Sequence, residues 1–214
     1  MPHSLRPRQH WVFDLDNTLY PPQARLFDQI EIRMTAYVMA ALGVARAEAD
    51  HLRRSYWARY GTTLAGLMAE HGVDPEPYLV DVHDISLDHL CHDPDLRAAI
   101  AALPGRKIVF TNGSAPYAER VLAACGLSGL FDGVFGVEHA DFHPKPRREA
   151  FETVFTRAGL TPGDAVMFED DSRNLRIPHD MGLGTVLVAA DPEPAPHVHF
   201  HTDDLTGFLR RIVC

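Results

Sequence analysis

Short runs of nearly continuous apolar residues alternate along the chain with stretches in which apolar positions recur every three to four residues. The runs are Trp11-Val12-Phe13, Lys107-Ile108-Val109-Phe110, Gly133-Val134-Phe135-Gly136-Val137, Ala165-Val166-Met167-Phe168 and Thr185-Val186-Leu187-Val188. Short runs of this kind, bounded by turn residues, predict strands covered by helices on both faces. The helical spacing between them has recognisable ends. Ala118, Val121, Leu122 and Cys125 follow a Ser114 N-cap with Pro116 in the first turn, and Ala150, Phe151, Val154, Phe155 and Ala158 precede Gly159. Strand and helix in alternation predict an α/β protein with a three-layer, Rossmann-like parallel sheet.

One interval breaks the alternation. From Pro21 to Pro94 the pattern is helical throughout. Phe27, Ile30, Met34, Val38 and Ala41 form a stripe that ends at Gly43. Further runs cover Arg46 to Arg59 and Leu64 to His71, and a fourth opens at Asp74-Pro75. Asp93-Pro94 then reads as the N-cap and first position of the helix leading back to the sheet. The expected organisation is a core of residues 1–20 and 95–214 with an all-helical cap inserted at 21–94. Near the C-terminus His197, His199 and His201 alternate. They read as a final edge strand, with a shared metal-binding face as the alternative, before Thr202-Asp203-Asp204 caps a helix over Leu205 to Ile212.

Composition narrows the function. Lys and Arg number 20 against 29 Asp and Glu, a formal charge of −9 over 214 residues, with 46% hydrophobic and 23% charged residues. That balance fits a globular protein and argues against nucleic acid as partner, because phosphate backbones call for clustered Lys and Arg. No run approaches the ~20 apolar residues needed to span a bilayer, and Met1 to Pro7 lacks a secretory apolar stretch. Cys91, Cys125 and Cys214 are far apart and read as reduced thiols. The expectation is a cytoplasmic protein with no membrane or nucleic-acid partner, monomeric or a homodimer. No phosphate-binding Gly-x-x-x-x-Gly-Lys loop, Gly-x-Ser-x-Gly elbow or dinucleotide fingerprint occurs.

The chemistry is expected where parallel strands end. Asp14 and Asp16 follow the first strand, Thr111 and Asn112 the second, Glu169 and Asp170 the fourth, and Lys145 sits between prolines in His143-Pro144-Lys145-Pro146. Carboxylates converging on one crevice repel each other unless cations compensate, and Mg²⁺ with oxygen ligands is the natural partner. A carboxylate beside Mg²⁺ can attack phosphorus and form an acyl phosphate. A second carboxylate two residues on can protonate the leaving oxygen and later activate water. A lysine supplies fixed positive charge, and Thr111 with the backbone of the strand-to-helix turn offers phosphate donors.

Asp14-Leu15-Asp16-Asn17-Thr18, Thr111-Asn112, Lys145 and Glu169-Asp170 resemble, in order, the four motifs of the haloacid dehalogenase-like hydrolase superfamily. The resemblance implies Asp14 as nucleophile, Asp16 as general acid/base, Thr111, Asn112, Gly113 and Lys145 at the phosphate, and Mg²⁺ held by Asp14, the Asp16 carbonyl and Asp170. Two registers of the fourth motif are open. One takes Phe168-Glu169-Asp170 and makes Asp170 the ligand; the other takes Asp170-Asp171-Ser172 and makes it Asp171, with Glu169 supporting. Narrower stretches, Phe13 to Pro21, Arg59 to Leu64 and Arg173-Asn174-Leu175, look like pyrimidine 5′-nucleotidases. That likeness implies a small phosphorylated substrate, a pyrimidine nucleoside 5′-monophosphate, met by Tyr60, Thr62 and Thr63 of the cap. A sugar phosphate or phosphoglycolate, phosphomutase chemistry and metal-free haloacid dehalogenation stand as alternatives.

Overall fold

The computed structural model describes residues 2–5 and 7–213. Met1 and Arg6 of the N-terminal segment and the thiol expected at Cys214 lie outside them. Among the described residues six strands form one sheet: β1 (His10–Phe13), β2 (Arg106–Phe110), β3 (Gly133–Phe135), β4 (Ala165–Glu169), β5 (Gly184–Val188) and β6 (Phe200–Thr202). Their spatial order is β3-β2-β1-β4-β5-β6 and every pairing is parallel. β1 is central, with Val12 in register with Ile108 of β2 and Met167 of β4. Strand order reverses across β1, so the crevice at its carboxyl end is where ligands gather in open α/β sheets.

The helices are α1 (Leu26–Leu42), α2 (Arg46–Tyr60), α3 (Thr63–His71), α4 (Pro75–Val82), α5 (Pro94–Ala101), α6 (Ala115–Ala124), α7 (Arg148–Arg157), α8 (Ser172–Asp180) and α9 (Leu205–Val213). Strand side chains alternate between two cores, as the two-residue period requires. Trp11, Phe13, Val109, Phe168 and Val186 bury against α5, α6 and α9. Val12, Ile108, Phe110 and Met167 bury against α7 and α8. The sheet is thus the middle of three layers, as expected.

α1 to α4 form the helical insert. Their ends follow from local chemistry: Thr62 and Asp74 cap α3 and α4, and Gly43 and Gly72 close α1 and α3 in left-handed conformations. At Gly61, with φ +91°, the insert touches the core, because a β-carbon there would lie 3.3 Å from the Lys145 carbonyl.

Three expectations change. The buried face of α1 is Leu26, Ile30, Thr35 and Val38, whereas Phe27 is 46% exposed and Ala41 lies in solvent. Starting the helix one residue earlier, after the left-handed Arg25, rotates the stripe. β3 stops at Phe135, since Gly136 turns the chain into a 3-10 segment, Val137–Ala140. Of the three alternating histidines only His201 lies in β6. His199 meets the Thr185 hydroxyl at 2.8 Å and His197 the Ser172 carbonyl at 2.8 Å, so the set shares no metal-binding face.

Candidate active site

Backbone pairing carries the strand ends into the crevice. Asp14 N–H donates to the Phe168 carbonyl (2.9 Å) and Thr111 N–H to the Phe135 carbonyl (3.0 Å), which extends β1 and β2 by one residue each. The first side chain beyond each strand is therefore held as rigidly as the sheet.

Lys145, 1% exposed, enters beneath these ends. Its Nζ donates to Asp14 Oδ1 (2.6 Å), Glu169 Oε2 (2.6 Å) and the Phe110 carbonyl (3.0 Å), which uses all three of its protons. Burial works against its charge, but Asp14 and Glu169 outweigh that and hold the ammonium above its ordinary value. The loop carrying Lys145 is fastened by Asn112, whose side-chain oxygen accepts from the Lys145 N–H (2.7 Å) and whose amide donates to the Lys145 carbonyl (3.1 Å). The Asn112 side chain, expected at the phosphate, is thereby committed to positioning the lysine.

Asp14, Glu169 and Asp170 bring carboxylate oxygens within 4.8 Å of one another. Three carboxylates face one ammonium. Burial raises all three above the carboxylate range, with like-charge neighbours adding to the shift and Lys145 opposing it. Hard oxygen donors with uncompensated negative charge are the donor set that Mg²⁺ takes, and the residues present fit that ion. Asp171 lines the same cavity but is not in that cluster: it caps α8, accepting from Arg173 N–H (2.9 Å) and from its guanidinium (2.5 Å). Burial alone would raise Asp171, but Arg173 holds it below its ordinary value. The structure therefore brings Asp170, not Asp171, to the carboxylate cluster.

The Asp16 carboxylate is not in that cluster. Its Oδ1 accepts from two phenols, Tyr20 (2.6 Å) and Tyr117 (2.8 Å). Burial raises its pKa while both tyrosines work the other way. Across the crevice Gly113 N–H donates to Thr111 Oγ1 (2.9 Å), leaving the Thr111 hydroxyl proton free to point at a ligand. Ser114 caps α6 by accepting from Tyr117 N–H.

These groups floor a cavity of about 300 Å³, at the small end of the range for metabolite pockets. Its other wall is the insert: Phe27, Ile30 and Met34 of α1, Leu79 and Val82 of α4, and Trp57 of α2. Of the three cap residues expected to meet a substrate, Thr62 and Thr63 line the cavity and Tyr60 does not. The Tyr60 hydroxyl donates to Glu70 (2.8 Å) and its ring sits beneath Arg59, which keeps it inside the α2–α3 junction. Trp57, 51% exposed and stacked under the Arg173 guanidinium at 3.8 Å, takes the place at the rim instead. Sequence reasoning also missed Tyr20, Tyr117 and His83. Tyr20 sits four residues after Asp16, a helical spacing that could have marked it. His83 carries no such signal.

Residues 10–182 match the family of haloacid dehalogenase-like hydrolases. Among curated proteins the chain is 29% identical over 196 residues to Phosphate metabolism protein 8 of Saccharomyces cerevisiae. That alignment covers 84% of this chain and 61% of the relative, so the chain spans about three fifths of the length of the curated relative it matches. Among solved structures it is similar to a HAD phosphatase from Thermococcus onnurineus (TM-score 0.65, 19% identity, 96% of this chain and 97% of that one). It is also similar to CbbY from Rhodobacter sphaeroides in complex with phosphate (TM-score 0.63, 20% identity, 93% and 95%). A magnesium-bound HAD-hydrolase, YfnB of Bacillus subtilis, is a third (TM-score 0.61, 17% identity, 97% and 99%). These three likenesses carry the fold. The match over residues 10–182 makes the chain a member of the haloacid dehalogenase-like hydrolase family.

Proposed function

We propose that the protein is a Mg²⁺-dependent phosphomonoesterase that works through an aspartyl-phosphate on Asp14 and acts on a pyrimidine nucleoside 5′-monophosphate. The observation that carries the reading is Lys145 bound to both Asp14 and Glu169 next to Asp170, at the carboxyl end of the central strands. The phosphate-bound and magnesium-bound relatives support it.

In this reading an Asp14 carboxylate oxygen forms a bond to phosphorus while the phosphorus–ester oxygen bond breaks. Asp16 gives its proton to the departing alcohol oxygen, then takes one from the water that attacks phosphorus and frees Asp14. Lys145 orients Asp14 and opposes the rise in its pKa that burial causes. Thr111 and the N-terminus of α6 hold the phosphoryl oxygens. Asp14, Asp170 and the Asp16 backbone would hold Mg²⁺, which when bound offsets charge on the phosphoryl group.

The residues 21–94 act as a cap that selects the alcohol. Ile30, Met34, Leu79 and Val82 offer an apolar wall suited to a nucleoside and poor for glycolate. The test is phosphate release from a panel of nucleotides and sugar phosphates, with Mg²⁺ and with chelator. The reading expects Mg²⁺-dependent release with pyrimidine monophosphates preferred. Turnover of a 2-haloacid in chelator, or phosphate moved within one sugar without release, contradicts it.

A further inference from the structure

Asp16 and Tyr20 stand four residues apart in the turn that leaves β1, where Leu19 N–H donates to the Leu15 carbonyl at 2.9 Å. That helical step puts the two side chains on one side of the turn. Tyr117 comes from the core, in the first turn of α6, where its own N–H donates to the Ser114 cap. Its ring is 1% exposed and tightly packed. The His83 ring lies flat on it, centroids 4.3 Å apart and planes 9° apart, and a β-carbon on Gly113 would stand 3.0 Å from its Cδ1. Both phenols end on the same atom, Asp16 Oδ1, at 2.6 Å from Tyr20 and 2.8 Å from Tyr117.

Asp16 lines the cavity and neither tyrosine does. The two carboxylate oxygens therefore have different surroundings. Oδ1 turns to the phenols, while Oδ2 has no hydrogen-bond partner among the described residues. A phenol at neutral pH has one proton to donate, and a carboxylate oxygen has two lone pairs to accept. Two phenols fill Oδ1. A proton placed there displaces one of them, whereas a proton on Oδ2 displaces nothing. The phenol oxygens also lie near each other. Were one to turn its proton to the other, Oδ1 would still accept from the remaining one.

We infer that Tyr20 and Tyr117 are positioning residues that fix the transferable proton of the acid/base on Asp16 Oδ2, the oxygen left for a ligand in the cavity. Neither touches the substrate; both act through Asp16. As the phosphorus–ester oxygen bond breaks, its electron pair goes to the alcohol oxygen, which takes the Oδ2 proton. The carboxylate left behind keeps both phenol bonds. Water then returns a proton to Oδ2 as its oxygen bonds to phosphorus and the bond from Asp14 breaks. The carboxyl group serves both steps without rotating. The inference rests on the phosphomonoesterase reading and gives a role to two residues that the four sequence motifs do not contain.

The test uses three esters, in the full chain with Mg²⁺: a pyrimidine nucleoside monophosphate, phenyl phosphate and p-nitrophenyl phosphate. The departing oxygen's need for a proton falls in that order. Tyr20→Phe and Tyr117→Phe keep the ring and remove only the hydroxyl. In each, kcat/KM for the nucleotide should fall about tenfold, the size of a lost hydrogen bond to a charged group, and further in the double variant. The fall should be smaller for phenyl phosphate and smallest for p-nitrophenyl phosphate. The two aryl esters share a ring, so their difference reads proton demand rather than fit. An equal fall with all three esters overturns the inference, since general damage to the site would then be the cause. So does an unchanged rate with the nucleotide. If one variant does not fold, the other decides, because both phenols serve the same oxygen. A wild-type enzyme inert to all three esters sinks the proposed activity itself, whereas an active wild type with a flat series in the variants sinks the positioning role alone.

Discussion

The two walls of the cavity are built on opposite principles. At the strand ends three of the functional side chains are committed: Lys145 uses three donors, Asn112 uses both ends of its amide, and Asp16 is held by two phenols. The facing wall of α1, α2 and α4 offers mostly apolar surface, with Phe27 and Trp57 left about half exposed. The first wall is rigid and charged, which suits a reaction whose geometry cannot vary. The second is adaptable and nearly featureless, which suits a choice among alcohols. Arg173, stacked on Trp57 and paired with Asp171, ties the two walls at the rim.

Breaking the charged wall should have the largest effect. Lys145→Met leaves Asp14 and Glu169 buried beside each other without a counter-charge, so in chelator the loss of stability should be about 3–5 kcal/mol, the range for removing one partner of a buried pair. Denaturant unfolding measures it. A much smaller loss would mean that the carboxylates are solvated in the free enzyme.

His83 sharpens the comparison from the other side, through pH. Its ring titrates near 4 in the folded protein against about 6.5 when exposed. Between those values the unfolded chain binds more protons, so stability rises with pH across the window. The contribution is complete above about pH 6.5 and is lost as pH falls toward 4, on the order of 3 kcal/mol in all. Tyr117, Ser114 and Arg120 are the polar and charged neighbours, and all stay in place in His83→Phe. That variant should show a flatter stability profile over the same window in pH-dependent denaturation.

The apolar wall should answer most gently. Phe27→Ala removes one exposed ring from the cavity and should raise KM for a nucleotide roughly fivefold, equivalent to about 1 kcal/mol of apolar contact, with kcat nearly unchanged. KM unchanged for nucleotides but raised for small sugar phosphates would move the preferred substrate.

The same contrast explains what could be read from the chain. The sheet was legible because strands covered on both faces must be apolar throughout, and the site because Asp14, Thr111 and Glu169 lie where strands end. Lys145 was legible from its proline frame, and the insert from the helical period between β1 and β2. The register of α1 was not, since Leu26 and Phe27 are equally apolar and only the left-handed Arg25 decides which turns inward. Tyr60 and Trp57 differ in the same way. Both are aromatic on α2, and the Glu70 carboxylate, distant in the pattern, claims one of them. His83 follows an apolar helix as an ordinary polar end, and its meaning comes from Ser114 and Tyr117 across the fold.

The central claim is that Asp14 takes the phosphoryl group. Acid-quenching the enzyme during turnover of a nucleoside monophosphate with Mg²⁺, then locating phosphate by peptide mass spectrometry, tests it directly. The account predicts phosphate on the peptide at Asp14 in the wild type, and in Asp14→Asn a folded protein with no phosphopeptide and no phosphate release. Phosphate on another residue, or hydrolysis by Asp14→Asn at the wild-type rate, would contradict it.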